Sequence, residues 1–138
     1  MRLRTDGASR GNPGLAAIGV VIEDDQGNRL RTFHRFIGTA TNNEAEYQAL
    51  IDGLKAVADW KPDRLEVYLD SKLVVEQLAG KYKVKKPHLE RLHRQAVEFL
   101  KQFPDVSIDH VERDSNRGAD KLANLALDAQ VKKATPHA

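Results

Sequence analysis

Four carboxylates in this chain stand beside turn or helix-start signals: Asp6 before Gly7, Glu46 after Asn42-Asn43, Asp70 before Ser71, and Asp120 after Gly118-Ala119. Carboxylate oxygens are hard ligands, suited to magnesium or manganese rather than to the softer metals that thiolates select. If the four acids converge, they cannot all stay ionised and unpaired, so divalent cations are needed to hold them together. Two such ions roughly 4 Å apart clamp the attacking water and the leaving oxygen of a phosphodiester. The chemistry these residue types allow is metal-dependent phosphoryl transfer on a polyanion. Each acid also has a plain structural use. Asp6 can open a glycine-rich hairpin loop, Asp70 can cap a short helix, and Asp120 can complement a helix dipole.

The elements that must position these acids follow from the apolar pattern. Arg2 to Thr5 alternates as a half-buried strand, and Asp6 is expected at its end, where the run from Gly7 to Gly14 turns the chain. Ala16–Ile22 and Leu30–Ile37 supply two more strands around the polar turn Glu23–Asn28, giving an antiparallel meander. Gly19 inside the second strand marks a bulge or a close backbone approach. Thr41 or a following Asn then caps a helix whose buried face carries Tyr47, Leu50, Ile51, Leu54 and Val57. At about 100° per residue, Glu44 and Glu46 flank that face almost symmetrically, so periodicity leaves open which one joins the site. Leu65–Leu69 is a strand ending at Asp70, followed by a brief helix to Leu78 and a basic helix from about His88 to Phe103. Val106–Val111 is a fifth strand, and Ala119–Ala129 is the last helix.

The order βββ-α-β-α-α-β-α implies one α/β domain over 1–130, with 131–138 expected as a flexible tail. Strands separated by helices pair in parallel through right-handed crossovers, so the sheet is mixed. Sites in such sheets form beyond the carboxyl ends of parallel strands, which sets Asp6 and Asp70 side by side.

Composition narrows the setting. The chain has 138 residues, a 41% hydrophobic fraction and no cysteine, which excludes disulfides, thiol nucleophiles and Cys-ligated metals. No apolar run reaches membrane-spanning length and no signal-peptide pattern opens the chain, so the expectation is a cytoplasmic monomer without a membrane partner. Net charge is only +2, yet Lys81 to Pro104 holds seven Lys or Arg against two acids. That stripe is either a solvated helix face with its connecting loop or a polyanion contact.

The stretches TDGASRGNPG, TNNEAEYQAL, VYLDSKLVVEQL and HVERDSNRGADKLANLAL resemble, in order and at family spacing, the motifs of type 1 ribonuclease H, over Arg2 to about Ala129. The resemblance implies a five-stranded mixed sheet flanked by helices and two-metal hydrolysis of the RNA strand of an RNA–DNA hybrid. It selects Glu46 over Glu44. The catalytic and metal-holding set becomes Asp6, Glu46, Asp70 and Asp120, with Mg2+ (two ions) as cofactor and Mn2+ as a substitute. It further implies that Asn42 and Asn43 read the RNA minor groove through the 2′-OH, while Asn12 and Thr41 seat the DNA backbone.

Three departures from the family stand out. The loop Glu112–Asn116 carries no histidine, His110 reads as a packed or rim residue of its strand, and Arg113 is the candidate for phosphate contact or product release. Lys72 stands where the family has glutamine, offering a phosphate contact in place of a base-edge contact. The Trp-bearing basic protrusion of some members is reduced to Lys81–Lys86, and the single Trp60 reads as a packing residue. Competing readings are a binding module that has lost catalysis and a related nuclease also acting on duplex RNA.

Overall fold

The computed structural model describes residues 1–134, with side chains described to Val131. Its elements are β1 (Arg2–Gly11), β2 (Gly14–Glu23), β3 (Arg29–Ala40), α1 (Asn42–Val57), β4 (Arg64–Leu69), α2 (Lys72–Leu78), α3 (Pro87–Leu100), β5 (Asp105–His110) and α4 (Arg117–Ala134). A 3₁₀ turn at Arg113–Asn116 leads into α4. The sheet order is β3-β2-β1-β4-β5. β1 to β3 form the antiparallel meander, and β4 and β5 add in parallel beside β1. The expected five-stranded mixed sheet is the observed one.

β1 departs from expectation in length. Instead of ending at Asp6 it continues to Gly11, fully paired with β2, so the glycine-rich run is strand and the turn is confined to Asn12-Pro13. Local sequence favours a turn there. Tertiary packing overrides it, because Gly7 and Gly19 are the points at which helices touch the sheet. A Cβ at Gly7 would lie 2.1 Å from the Ala45 carbonyl carbon of α1, and one at Gly19 would lie 2.0 Å from the Ala119 oxygen of α4. Backbone contact this close leaves no room for any side chain.

The two sheet faces are packed differently. On the α1 face, Leu3, Ile18, Val20 and Ile22 meet Tyr47, Leu50, Ile51 and Leu54, and α3 adds Leu89, Leu92 and Ala96. On the α4 face, Ala17, Ala126 and Leu127 form a thin layer of small residues with Ala8 and Phe36. α1 and α4 thus approach β1 and β2 from opposite sides, each with an end near Asp6. α4 continues through Ala134, the first half of the segment expected to be a tail, and residues 135–138 lie outside the described residues. Trp60 is 40% exposed in the short 3₁₀ turn after α1, which departs from the expected packing role. Among the described residues no helix is long and apolar enough to cross a membrane.

Gly7→Ala and Gly19→Ala are expected to cost about 3 kcal/mol each, the upper range of overpacking penalties, because the clash is with backbone. Urea unfolding checks this; losses below about 1 kcal/mol would mean the helices sit further from the sheet.

Candidate active site

β1 and β4 set the first two acids. Their parallel register pairs Arg2 with Glu66, Leu3 with Val67 and Arg4 with Tyr68. Two residues further along, Asp6 falls opposite Asp70, just past the end of β4 at Leu69. Asp6 is on the sheet face of its cross-strand partner Gly19, the face that α4 covers. It is only 2% exposed.

α1 supplies the third acid, and its cap decides which one. Thr41 is the N-cap: its hydroxyl accepts from the Glu44 N–H, and the Glu44 carboxylate accepts from the Thr41 N–H at 2.9 Å. This reciprocal capping box occupies Glu44, which also pairs with His88 at the start of α3. Glu46, two residues on, is buried and accepts from the Gly7 N–H at 2.9 Å. One oxygen each of Asp6, Glu46 and Asp70 lie within 4.8 Å of one another. Asp120, in the first turn of α4, lines the same open cleft of about 490 Å³.

The electrostatics are those of crowded acids. Burial, followed by the charge of Glu46 and then that of Asp70, holds the Asp6 carboxyl far above the ordinary carboxylate range. Burial raises Glu46 too, against the opposing pull of the Gly7 N–H and of Arg113. Glu46 Oε2 and Asp70 Oδ2 are shielded from solvent and accept no hydrogen bond. Buried carboxylate oxygens left unpaired are costly, and a divalent cation bound by hard oxygens would satisfy them. The donor set fits such an ion.

The remaining predicted residues divide. Asn42 and Asn43 line the acid cleft, as does Arg113. Asn12 and Thr41 line a neighbouring groove of about 460 Å³, whose other wall carries Lys83, Lys85 and Lys86 from the loop after α2, and Asn43 belongs to both. The Asn12 Oδ1 accepts from the Asn42 N–H at 3.0 Å, tying the β1–β2 turn to the helix start. Lys72 is exposed at the first residue of α2 and lines neither cleft. His110 is an exposed residue at the end of β5, on the rim. Sequence reasoning passed over Ser9, whose N–H donates to Asn42 Oδ1, and Asn116, whose amide donates to the Thr5 carbonyl beside Asp6.

Comparison with known proteins gives a consistent picture. A family profile described as "Reverse transcriptase-like" matches residues 4–126. The chain is 50% identical to "Ribonuclease HI" of Halobacterium salinarum over 89% of its own length and 62% of that relative's. It is 43% identical to "Bifunctional protein Rv2228c" of Mycobacterium tuberculosis over 99% of its length, but spans only 38% of that protein. The solved N-terminal RNase H domain of Rv2228c superposes with a TM-score of 0.92 at 42% identity, covering 97% of each chain. LC11-RNase H1, from compost metagenomic material and solved in complex with an RNA/DNA hybrid, superposes at 0.88 and 40% identity, covering 94% of this chain and 98% of that one.

A carboxyl whose folded pKa lies above its unfolded value keeps its proton in the native state while the unfolded chain has lost it. Stability from such a group is present at low pH and falls as pH rises through that interval. Asp6→Asn is therefore expected to raise the thermal midpoint of cation-free protein by several degrees near pH 7, with the gain vanishing towards about pH 4. Melts in chelator at both pH values check this, and a variant no more stable than the parent at neutral pH would contradict the crowding described.

Proposed function

The chain belongs to the ribonuclease H family, and we propose that it is an endonuclease hydrolysing the RNA strand of RNA–DNA hybrids, with Mg2+ as cofactor and Mn2+ able to substitute. The observation that carries this is the meeting of Asp6, Glu46 and Asp70, with two buried oxygens left unpartnered and Asp120 beside them. A binding module with no chemistry to perform would gain stability by losing one of these acids. Residues 4–126 take in β1 from Arg4, the other four strands and the first ten residues of α4, so every residue of the site falls inside the family match.

In this reading Asp6, Glu46, Asp70 and Asp120 hold the ions, which supply Lewis-acid activation of water and neutralise charge building on the phosphodiester. Asn42 and Asn43, at the mouth of the acid cleft, face the RNA strand. The Asn42 Oδ1 is engaged by the Ser9 N–H, which fixes the amide and leaves its nitrogen as the donor. A fixed donor suits a 2′-OH, the group that distinguishes RNA from DNA. Arg113 brings a cation to the same cleft, placed to contact a phosphate, and its charge offsets a small part of the upward shift of Glu46.

The adjoining groove suits the DNA strand. Asn12, Thr41 and Asn43 form one wall and Lys83, Lys85 and Lys86 the other, so a phosphate backbone lying there meets amides on one side and ammoniums on the other. This short basic loop takes the place of a longer protrusion. Lys72 stands outside both clefts and is assigned, at most, a long-range pull on the polyanion.

Cleavage of a labelled hybrid with Mg2+, against duplex RNA and duplex DNA, tests the proposal. Asp6→Asn and Glu46→Gln are expected to abolish turnover. Glu44→Gln is expected to retain it while losing about 1 kcal/mol of stability from the weakened cap. Hybrid binding without cleavage by the parent chain would mean a catalytically lost module; equal losses from Glu44→Gln and Glu46→Gln would refute the assigned roles. Replacing Lys83, Lys85 and Lys86 with Gln is expected to weaken hybrid binding and to reduce the slope of log affinity against log salt by about 3. An unchanged slope would remove the groove from the DNA path.

A further inference from the structure

The loop between β5 and α4 is short. After His110 the chain makes one 3₁₀ turn at Arg113–Asn116 and enters α4 at Arg117, three residues before Asp120. That turn determines where two groups of the acid cleft stand: Arg113 at its first residue and Asp120 in the helix it starts. Most of its residues are exposed and make few local bonds, among them Ser115 N–H to the Glu112 carbonyl at 2.9 Å.

What fixes it comes from β1, more than a hundred residues earlier. Asn116 is fully buried and donates its side-chain amide to the Thr5 carbonyl at 2.8 Å. Arg4 donates to the Ser115 carbonyl at 3.2 Å. The Arg4 guanidinium is itself held twice, by Glu23 at 2.9 Å and by stacking over the Tyr68 ring, 4.7 Å from its centroid. A planar group pinned by a carboxylate and an aromatic face has little freedom left, so its third contact is directional. Arg4 and Thr5 immediately precede Asp6. The strand that carries the most deeply placed carboxylate therefore grips the turn that presents Arg113 and Asp120.

We infer that Arg4 and Asn116 are positioning residues: they lock the 3₁₀ turn to β1, so that Arg113 and Asp120 stay in register with Asp6. What this register serves rests on the hybrid-cleaving reading above; whether the turn is held does not. Arg4 touches neither cleft and acts on the reaction only through Ser115 and its neighbours.

The test uses the full chain. Asn116→Ala leaves a buried carbonyl unpaired and risks the fold, so Arg4→Met, which keeps an apolar stem of similar length, is the working variant. Amide hydrogen exchange over Ser115 to Asp120 is expected to quicken about tenfold in Arg4→Met, with α1 unchanged. With hybrid and Mg2+, Arg113→Ala is expected to lower kcat about tenfold in the parent background but less than about twofold in Arg4→Met, with KM little moved in either. Unaltered exchange, or the full loss from Arg113→Ala in both backgrounds, overturns the inference. A parent chain that cleaves no hybrid would defeat the functional reading alone, and the exchange measurement would still decide whether β1 holds the turn.

Discussion

Carboxylates repel, and burial makes them repel more. Asp6, Glu46 and Asp70 approach within 4.8 Å in a place where Asp6 is almost sealed from water, so the folded chain holds an arrangement that its own electrostatics oppose. The restoring force is the rest of the molecule. Extensive apolar packing on the α1 face keeps that helix on β1, and a layer of small residues keeps α4 on the opposite face. Neither helix can back away without opening a core. The acids are brought together by interactions that have nothing to do with acids, and the raised Asp6 and Glu46 carboxyls register the conflict.

The precision of the arrangement comes from a few polar contacts at the helix starts. The capping box at Thr41 fixes the rotation of α1 and occupies Glu44, leaving Glu46 as the acid that reaches the Gly7 N–H. Two hydrogen bonds, through Asn12 and Ser9, then tie the same helix start to the β1–β2 hairpin. One short segment thus positions a buried carboxylate on one side and an exposed and a half-buried amide, Asn42 and Asn43, on the other. Groups built on one cap cannot drift relative to each other.

Much of this could be read from the chain. The meander, the parallel additions and the stripes of α1 and α3 follow from apolar spacing, because a buried face leaves a periodic trace. Asp6, Asp70 and Asp120 were visible as acids beside strand ends and helix starts. Glu46 was not separable from Glu44 by periodicity, since a cap is a local hydrogen-bonding choice and both residues flank the buried face equally. The length of β1 is hidden for a related reason. Gly7 reads as turn chemistry in isolation, and only the nearness of the Ala45 carbonyl explains a glycine in mid-strand. Gly19 reads from sequence as either a bulge or a close approach, and the nearness of the Ala119 oxygen makes it the second. Lys72 was placed by analogy of position, and its exposure at the start of α2 follows from a side chain too strongly hydrated to turn inward without a partner.

Contacts such as Arg4 to Ser115 and Asn116 to Thr5 leave no such trace, because they join residues 111 apart and have no period. Their place in the fold still follows from the shortness of the loop they hold. A longer loop between β5 and α4 could carry its own stabilising contacts; a single 3₁₀ turn has too few residues for that and must borrow rigidity from a neighbour. The neighbour within reach is β1, paired on both sides and already fixed by the core. Anchoring the turn to the residues just before Asp6 also gives the last carboxylate and the first a common frame. Movement of β1 then carries both sides of the site with it, so the spacing of the acids is kept even as the sheet flexes.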